Sequence, residues 1–240
     1  MKFDASALRK SPAYLYKVME ILYKSKNFAI INKPAGMPSQ SDLSGDKDAM
    51  TATSEALLSL GEKSDLWLVH RLDRVVGGLL VFARNKKSAS VLSDLISRGE
   101  FKKEYLAVTE GECAERGEMR DYIYKDAKIS KAFIVDKKRA GVKEAVLKYE
   151  LLAKARLESG DRSLVKVELI TGRYHQIRAQ FSSRALSLVG DGKYGSRDKG
   201  ARMPALFSHR ISFSALSEFV DVRLNPDVGE YPWNLWSEVL

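Results

Sequence analysis

The 240-residue chain has a single cysteine, Cys113. One cysteine excludes an internal disulfide and a cysteine-based zinc cluster, and nothing argues for an oxidising compartment. Its acidic neighbours Glu112 and Glu115 disfavour a thiolate, so the thiol reads as inert. Histidine is scarce too: His70, His175 and His209 are the only three, and they lack metal-ligand spacing. No metal is therefore expected. No apolar run approaches the roughly 18 residues that span a bilayer. The opening Met1-Lys2-Phe3-Asp4 starts no secretory hydrophobic segment, so a cytoplasmic location is expected. There is no internal repeat and no low-complexity tract. The nucleophile elbow G-x-S-x-G is missing, and Gly190-Asp191-Gly192-Lys193-Tyr194-Gly195 lacks the ending of a phosphate-binding P-loop.

What the chain does have is positive charge. Hydrophobic residues make up 45% and charged ones 30%, ordinary for a globular protein, but the net charge is +9. The segment Ile211–Leu240 carries five acids and one base, a net of −4, so residues 1–210 carry +13. Such a balance points to a polyanionic partner.

Periodicity predicts a short helix over Tyr14–Tyr23, a strand at Phe28–Asn32 ended by the turn Lys33-Pro34-Ala35-Gly36, and a polar loop over residues 38–50. It then predicts a helix at Thr51–Leu60, strands at Leu66–Val69 and Gly78–Ala83, and an amphipathic helix at Lys86–Arg98 capped by Asn85. Further strands are expected at Glu104–Thr109, Ala145–Ala153, Ser163–Ile170 and Leu206–Phe213, with a helix at Tyr174–Ala185. Residues 110–143 read as a charged, turn-rich segment that is basic around Lys137-Lys138-Arg139. Strands joined by hairpins with few helices predict an α+β fold with a bent, largely antiparallel mixed sheet, flanking helices and a central cleft.

Three clusters could carry chemistry. His70-Arg71-Leu72-Asp73 lies between two apolar runs and is followed by Gly77-Gly78; charged groups in such a place are costly unless paired or in use. Asp73 could be a nucleophile, a general base or a structural ion-pair partner. In Thr171-Gly172-Arg173-Tyr174-His175-Gln176-Ile177-Arg178, a turn opens a helix rich in cationic and hydrogen-bonding groups, suited to an anion or to nucleic acid or equally to a solvated helix face. Arg178 is a candidate cation for Asp73. Tyr105, beside Lys102 and Lys103, suits base stacking over a phosphate path, although a strand tyrosine is commonly core.

In order along residues 28–213, Asn32-Lys33-Pro34-Ala35-Gly36-Met37, His70-Arg71-Leu72-Asp73, Gly78-Leu79-Leu80-Val81-Phe82-Ala83, Lys103-Glu104-Tyr105-Leu106-Ala107, Thr171–Arg178 and Gly190–Gly195 together resemble the RluA-type family of RNA pseudouridine synthases. The resemblance implies conversion of uridine to pseudouridine in structured RNA, ribosomal or transfer, without cofactor or metal. It makes Asp73 the catalytic aspartate, Tyr105 the platform for the flipped uracil and Arg178 the partner of Asp73, with Arg71 holding the gap left by the extruded base. RNA contacts are expected from Arg71, His70, Arg173, His175, Gln176, Lys33 and Lys103. Where the family pattern has Thr-Ser-Gly, this chain has Val76-Gly77-Gly78. Residues 1–27 are expected to be an extension too short for a separate RNA-binding domain, and 28–240 one catalytic domain, acting as a monomer. Lys137, Lys138, Arg139 and Lys143 in the 110–143 segment are candidates for facing phosphates. The rival readings are a non-catalytic RNA-binding or ribosome-assembly factor and a metal-dependent RNA hydrolase.

Overall fold

The computed structural model describes residues 19–240, in two compact units divided after Asp94. Most of the helix expected before Tyr23 lies outside the described residues, and its end belongs instead to strand β1 (Ile21–Lys24).

In the first unit, β2 (Phe28–Lys33) pairs antiparallel with β1 on one side and β4 (Gly77–Ala83) on the other, Phe28 facing Ala83 and Lys33 facing Gly78. Both strands are almost wholly buried, which is why their apolar runs are continuous rather than alternating. Gly78 has φ 106°, a conformation only glycine adopts without strain. The strand expected at Leu66–Val69 shrinks to β3 (Trp67–Leu68), paired with the end of β4. Helix α1 (Ala49–Ser59) is capped by Asp48, whose carboxylate accepts from the Thr51 amide. Helix α2 (Lys86–Arg98) starts on Asn85, whose side-chain oxygen accepts from Ser88 N–H at 2.8 Å.

The second unit is a run of antiparallel strands: β5 (Lys102–Glu110), β6 (Arg116–Asp126), β7 (Lys131–Val135), β8 (Val142–Leu157), β9 (Gly160–Leu169), β10 (Leu206–Ala215) and β11 (Glu218–Arg223). β5 lies between β9 and β10, β8 between β9 and β6, and β7 and β11 stand beyond β6 and β10. The loop-like reading of 110–143 is therefore corrected: most of it is the β6–β7 hairpin. In β6 only Met119 and Ile123 are buried, too sparse an alternation to signal a strand. Trp236, in a 3-10 turn, closes a core cluster with Val108, Leu164, Val189 and Ala205. Cys113 is buried beside Thr109, and burial pushes its thiol further from ionisation.

The helix expected at Tyr174–Ala185 is only α3 (Gln176–Ser182). His175 and Ala185 both have positive φ, and these left-handed residues bracket it. Residues Gln176–Phe181 are all buried, so a solvated face is excluded for this segment.

Candidate active site

Asp73 sits half-buried on the chain between β3 and β4, and main-chain bonds fix the residues around it. The Ser39 hydroxyl donates to Leu72 C=O at 2.9 Å and accepts from Leu72 N–H at 3.1 Å. The Asp73 carbonyl accepts from Val76 N–H, and the Arg74 carbonyl from Gly36 N–H. His70 turns inward, its Nε2 accepting from Val81 N–H at 3.1 Å, so the imidazole occupies a backbone acceptor's place beside β4. Arg71 is exposed.

Lys33 is wholly buried, and its ammonium donates to the carbonyls of Pro34 (2.9 Å), Met37 (2.7 Å) and Arg74 (3.3 Å). The expected RNA contact is corrected: this lysine cross-links the Lys33–Met37 turn to the segment that carries Asp73. Burial pushes its pKa down to about 7, opposed by the nearby charge of Asp73 and assisted by that of Arg74.

In the second unit, Tyr105 lies on β5 opposite Ser208 and Val167 and is 6% exposed. Lys103, two residues earlier, shares its face of the strand. Burial lowers the Lys103 ammonium below the usual lysine range.

Arg178 in α3 meets Asp191 side-on, with Nε–Oδ2 at 2.6 Å and Nη2–Oδ1 at 2.7 Å; both side chains are buried. This fork geometry is the strongest form of charge-assisted pairing. Nη1 lies 3.3 Å from His175 Nε2, and His175 Nδ1 lies 2.9 Å from the Tyr194 hydroxyl, which also accepts from Ala132 N–H. For Nε2 to accept from the guanidinium, the imidazole must be neutral with its proton on Nδ1. The Tyr174 ring stacks on His175 at 3.8 Å. His175 is thus part of the Arg178 setting rather than an outward RNA contact.

Gln176 is corrected likewise. Only 2% exposed, it accepts through Oε1 from Thr171 Oγ1 and Arg173 N–H and donates through Nε2 to Val146 C=O. It ties the Thr171–Arg173 turn to β8. Because the Arg173 amide is taken and α3 has seven residues, no open helix terminus offers itself to an anion. Arg173, half-buried, donates to Glu144 C=O at 2.8 Å.

Lys33, His70, Arg71 and Asp73 thus belong to one unit, and Lys103, Tyr105, Arg173, His175, Gln176 and Arg178 to the other. Sequence reasoning gave no role to Asp191 or Tyr194. A buried arginine demands a carboxylate, and the Gly190–Gly195 loop held the one it uses. Among the described residues, no three His, Cys, Asp or Glu side chains gather into a metal site, and no helix is long and apolar enough to cross a membrane.

Similarity to known proteins follows this layout. The uncharacterized RNA pseudouridine synthase YhcT of Bacillus subtilis is 30% identical over 202 residues, covering 82% of this chain and 64% of that protein. The tRNA pseudouridine synthase C of Haemophilus ducreyi is 31% identical, covering 77% of each chain. The ribosomal large subunit pseudouridine synthase C of Rickettsia felis is 36% identical, covering 79% of this chain and 60% of that one. The chain therefore spans less than two thirds of the length of two of these three relatives. The solved structure of human RNA Pseudouridylate Synthase Domain Containing 1 shares the fold, with a TM-score of 0.73 at 22% identity over 89% of this chain and 85% of that one. Matched over residues 27–183 by the family described as RNA pseudouridylate synthase, the chain belongs to that family.

Proposed function

We propose that this protein isomerises uridine to pseudouridine in structured RNA, with Asp73 as the catalytic carboxylate. The observation that carries the reading is the anchoring of Asp73. The half-buried Asp73 stands on a main chain held on both sides, by Ser39 at Leu72 and by Gly36 and Lys33 at Arg74, and that backbone is pre-organised, as chemistry requires. A carboxylate facing RNA repels phosphate and is hard to explain there without chemistry.

In the reaction, the bond from ribose C1′ to uracil N1 breaks, the base turns, and C1′ bonds to C5. The proton on C5 leaves and N1 takes one up, so atoms and charge balance without cofactor or metal. Asp73 acts at the ribose, as nucleophile or as base. One carboxylate suffices because the uracil is retained, whereas glycosidases normally use two. Tyr105 stacks on the uracil, which has to leave its helix at a cost of a few kcal/mol. Arg178, oriented by Asp191 and His175, supplies positive charge to Asp73, and Arg71 and Arg173 contact the RNA. The reading takes 28–240 as one catalytic domain acting as a monomer in the cytoplasm, on ribosomal or transfer RNA like the relatives named for those substrates.

The test is pseudouridine formation on total cellular RNA by wild type and Asp73→Asn. Wild type should form it, and the variant should lose it while binding RNA within a few-fold as tightly. Undiminished turnover in Asp73→Asn would overturn the assignment. A wild-type protein that binds RNA but makes no pseudouridine would be an assembly factor instead.

A further inference from the structure

Among the described residues, the buried cations other than Lys103 are matched to acceptors. Lys33 has three carbonyls, Arg178 has Asp191, and Arg162 has Asp198 at 2.8 Å with the carbonyls of Gly160 and Asp161. Arg84 has Glu62 and the carbonyls of Ser25 and Lys63. Lys103 is only 8% exposed, yet among the described residues no carboxylate and no hydrogen-bond acceptor engages its Nζ. Its neighbours are the Phe101 ring, 6.0 Å away, and Gly172, where an added Cβ would stand 3.5 Å from the ammonium. Its stem is buried, but Nζ is not one of the buried side-chain atoms left without a partner among the described residues, so the ammonium reaches solvent at the Gly172 opening and is available to an incoming acceptor.

The position of Lys103 indicates the occupant. Lys103 and Tyr105 share a face of β5 about 7 Å apart along the strand, the scale of a single nucleotide. Gly172 is exposed and has no side chain, so the ammonium is not covered on that side. We propose that Lys103 Nζ donates to an anionic oxygen of the nucleotide that Tyr105 stacks, so that the RNA itself completes the lysine's coordination. This rests on the reading of Tyr105 as the uracil platform. Two oxygens share the chemistry: a phosphate oxygen flanking the uridine, and a uracil carbonyl oxygen. The latter gains charge when the C1′–N1 bond breaks and its electron pair passes to the base. Lys103 keeps its proton in either case.

The experiment compares wild type with Lys103→Met, which keeps the stem and removes the charge, and with Gly172→Val, which lays a side chain over Nζ without removing it. Single-turnover rate at saturating RNA, RNA Kd as a function of salt, and thermal midpoint are measured on the full chain. Lys103→Met should melt no lower than wild type, because Nζ engages no acceptor among the described residues. If the oxygen is the uracil's, the saturated rate falls about 10²-fold with Kd held within a few-fold. If it is a phosphate's, Kd rises several-fold, the salt slope falls by about one, and the saturated rate holds. Gly172→Val should show the same defect in weaker form. Rate and Kd within two-fold of wild type in Lys103→Met would overturn the proposal, as would a marked loss of thermal stability, which would make the lysine structural. An inactive wild type would count against the functional reading itself, whereas an active wild type with an unaffected Lys103→Met counts against this inference alone.

Discussion

The segment carrying Asp73 and the turn carrying Arg178 are held in place by different means. Around Asp73 the fixed points are main-chain groups: both ends of Leu72, the carbonyl of Arg74 and the amide of Val81. Around Arg178 they are side chains gripping side chains, with Asp191 and His175 on the guanidinium and Tyr194 behind His175. Main-chain anchors survive a change of the side chain at 73 or 74. Side-chain anchors vanish with one substitution, and here they leave a charge stranded in the interior. The first arrangement tolerates sequence change at the reactive position, and the second does not.

The largest effect should come from Asp191→Ala. It leaves the Arg178 guanidinium buried without its fork partner, at a cost of about 3–5 kcal/mol of stability. Urea denaturation should show that loss, together with a collapse of turnover. Asp73→Asn, by contrast, should stay within about 1 kcal/mol of wild type, since its loop is held by backbone. Equal losses in the two variants would break the comparison and make Asp73 a principal structural counter-ion.

The contrast also separates what the sequence revealed from what it hid. Continuous apolar runs at β2 and β4 were legible because both faces are buried, and strands joined by hairpins with few helices pointed to the antiparallel sheet. The short motifs named segments dense in polar and charged residues. They could not say which polar residue faces outward, because Lys33 and Gln176 look like surface groups until the carbonyls that take up their donors are brought near by the fold. Arg178 was legible only as a candidate cation for Asp73, because Asp191, thirteen residues on across a loop, has no periodic relation to it. β6 escaped notice for the opposite reason: its exposed face is so polar that only two buried residues mark it as a strand.

Lys33 offers an intermediate effect that sharpens the main-chain side of the comparison. In the unfolded chain its ammonium keeps its proton up to the usual 10.5, whereas in the folded protein burial lowers the value to about 7. Between those values the unfolded state binds more protons, so unfolding becomes harder as pH rises. Lys33→Met removes that dependence. The stability of wild type relative to Lys33→Met should be flat below pH 7 and climb by a few kcal/mol by pH 10. Thermal or chemical denaturation across that range measures it. A difference that stays flat to pH 10 would mean that the three carbonyls and Asp73 hold the lysine fully charged.

Arg74→Ala should have the smallest effect, although this side chain makes more polar contacts than most. Its guanidinium donates to Gly36 C=O and Ser44 Oγ and pairs with Asp42 and Asp46. It holds the Asp46 carboxyl below the usual carboxylate range, while the Ser44 hydroxyl does most of the same for Asp42. All these carboxylates are solvent-exposed, however, and exposed pairs contribute little and are screened by salt. What positions Asp73 is the Arg74 carbonyl, which accepts from Lys33 and Gly36 and which alanine retains. Turnover of Arg74→Ala should therefore stay within about two-fold of wild type, and its thermal midpoint should fall by no more than about 3 °C at low salt, with the gap closing at high salt. A large loss of activity at unchanged stability would show that the side chain reaches the RNA, and the division between main-chain and side-chain anchoring would then fail at its simplest point.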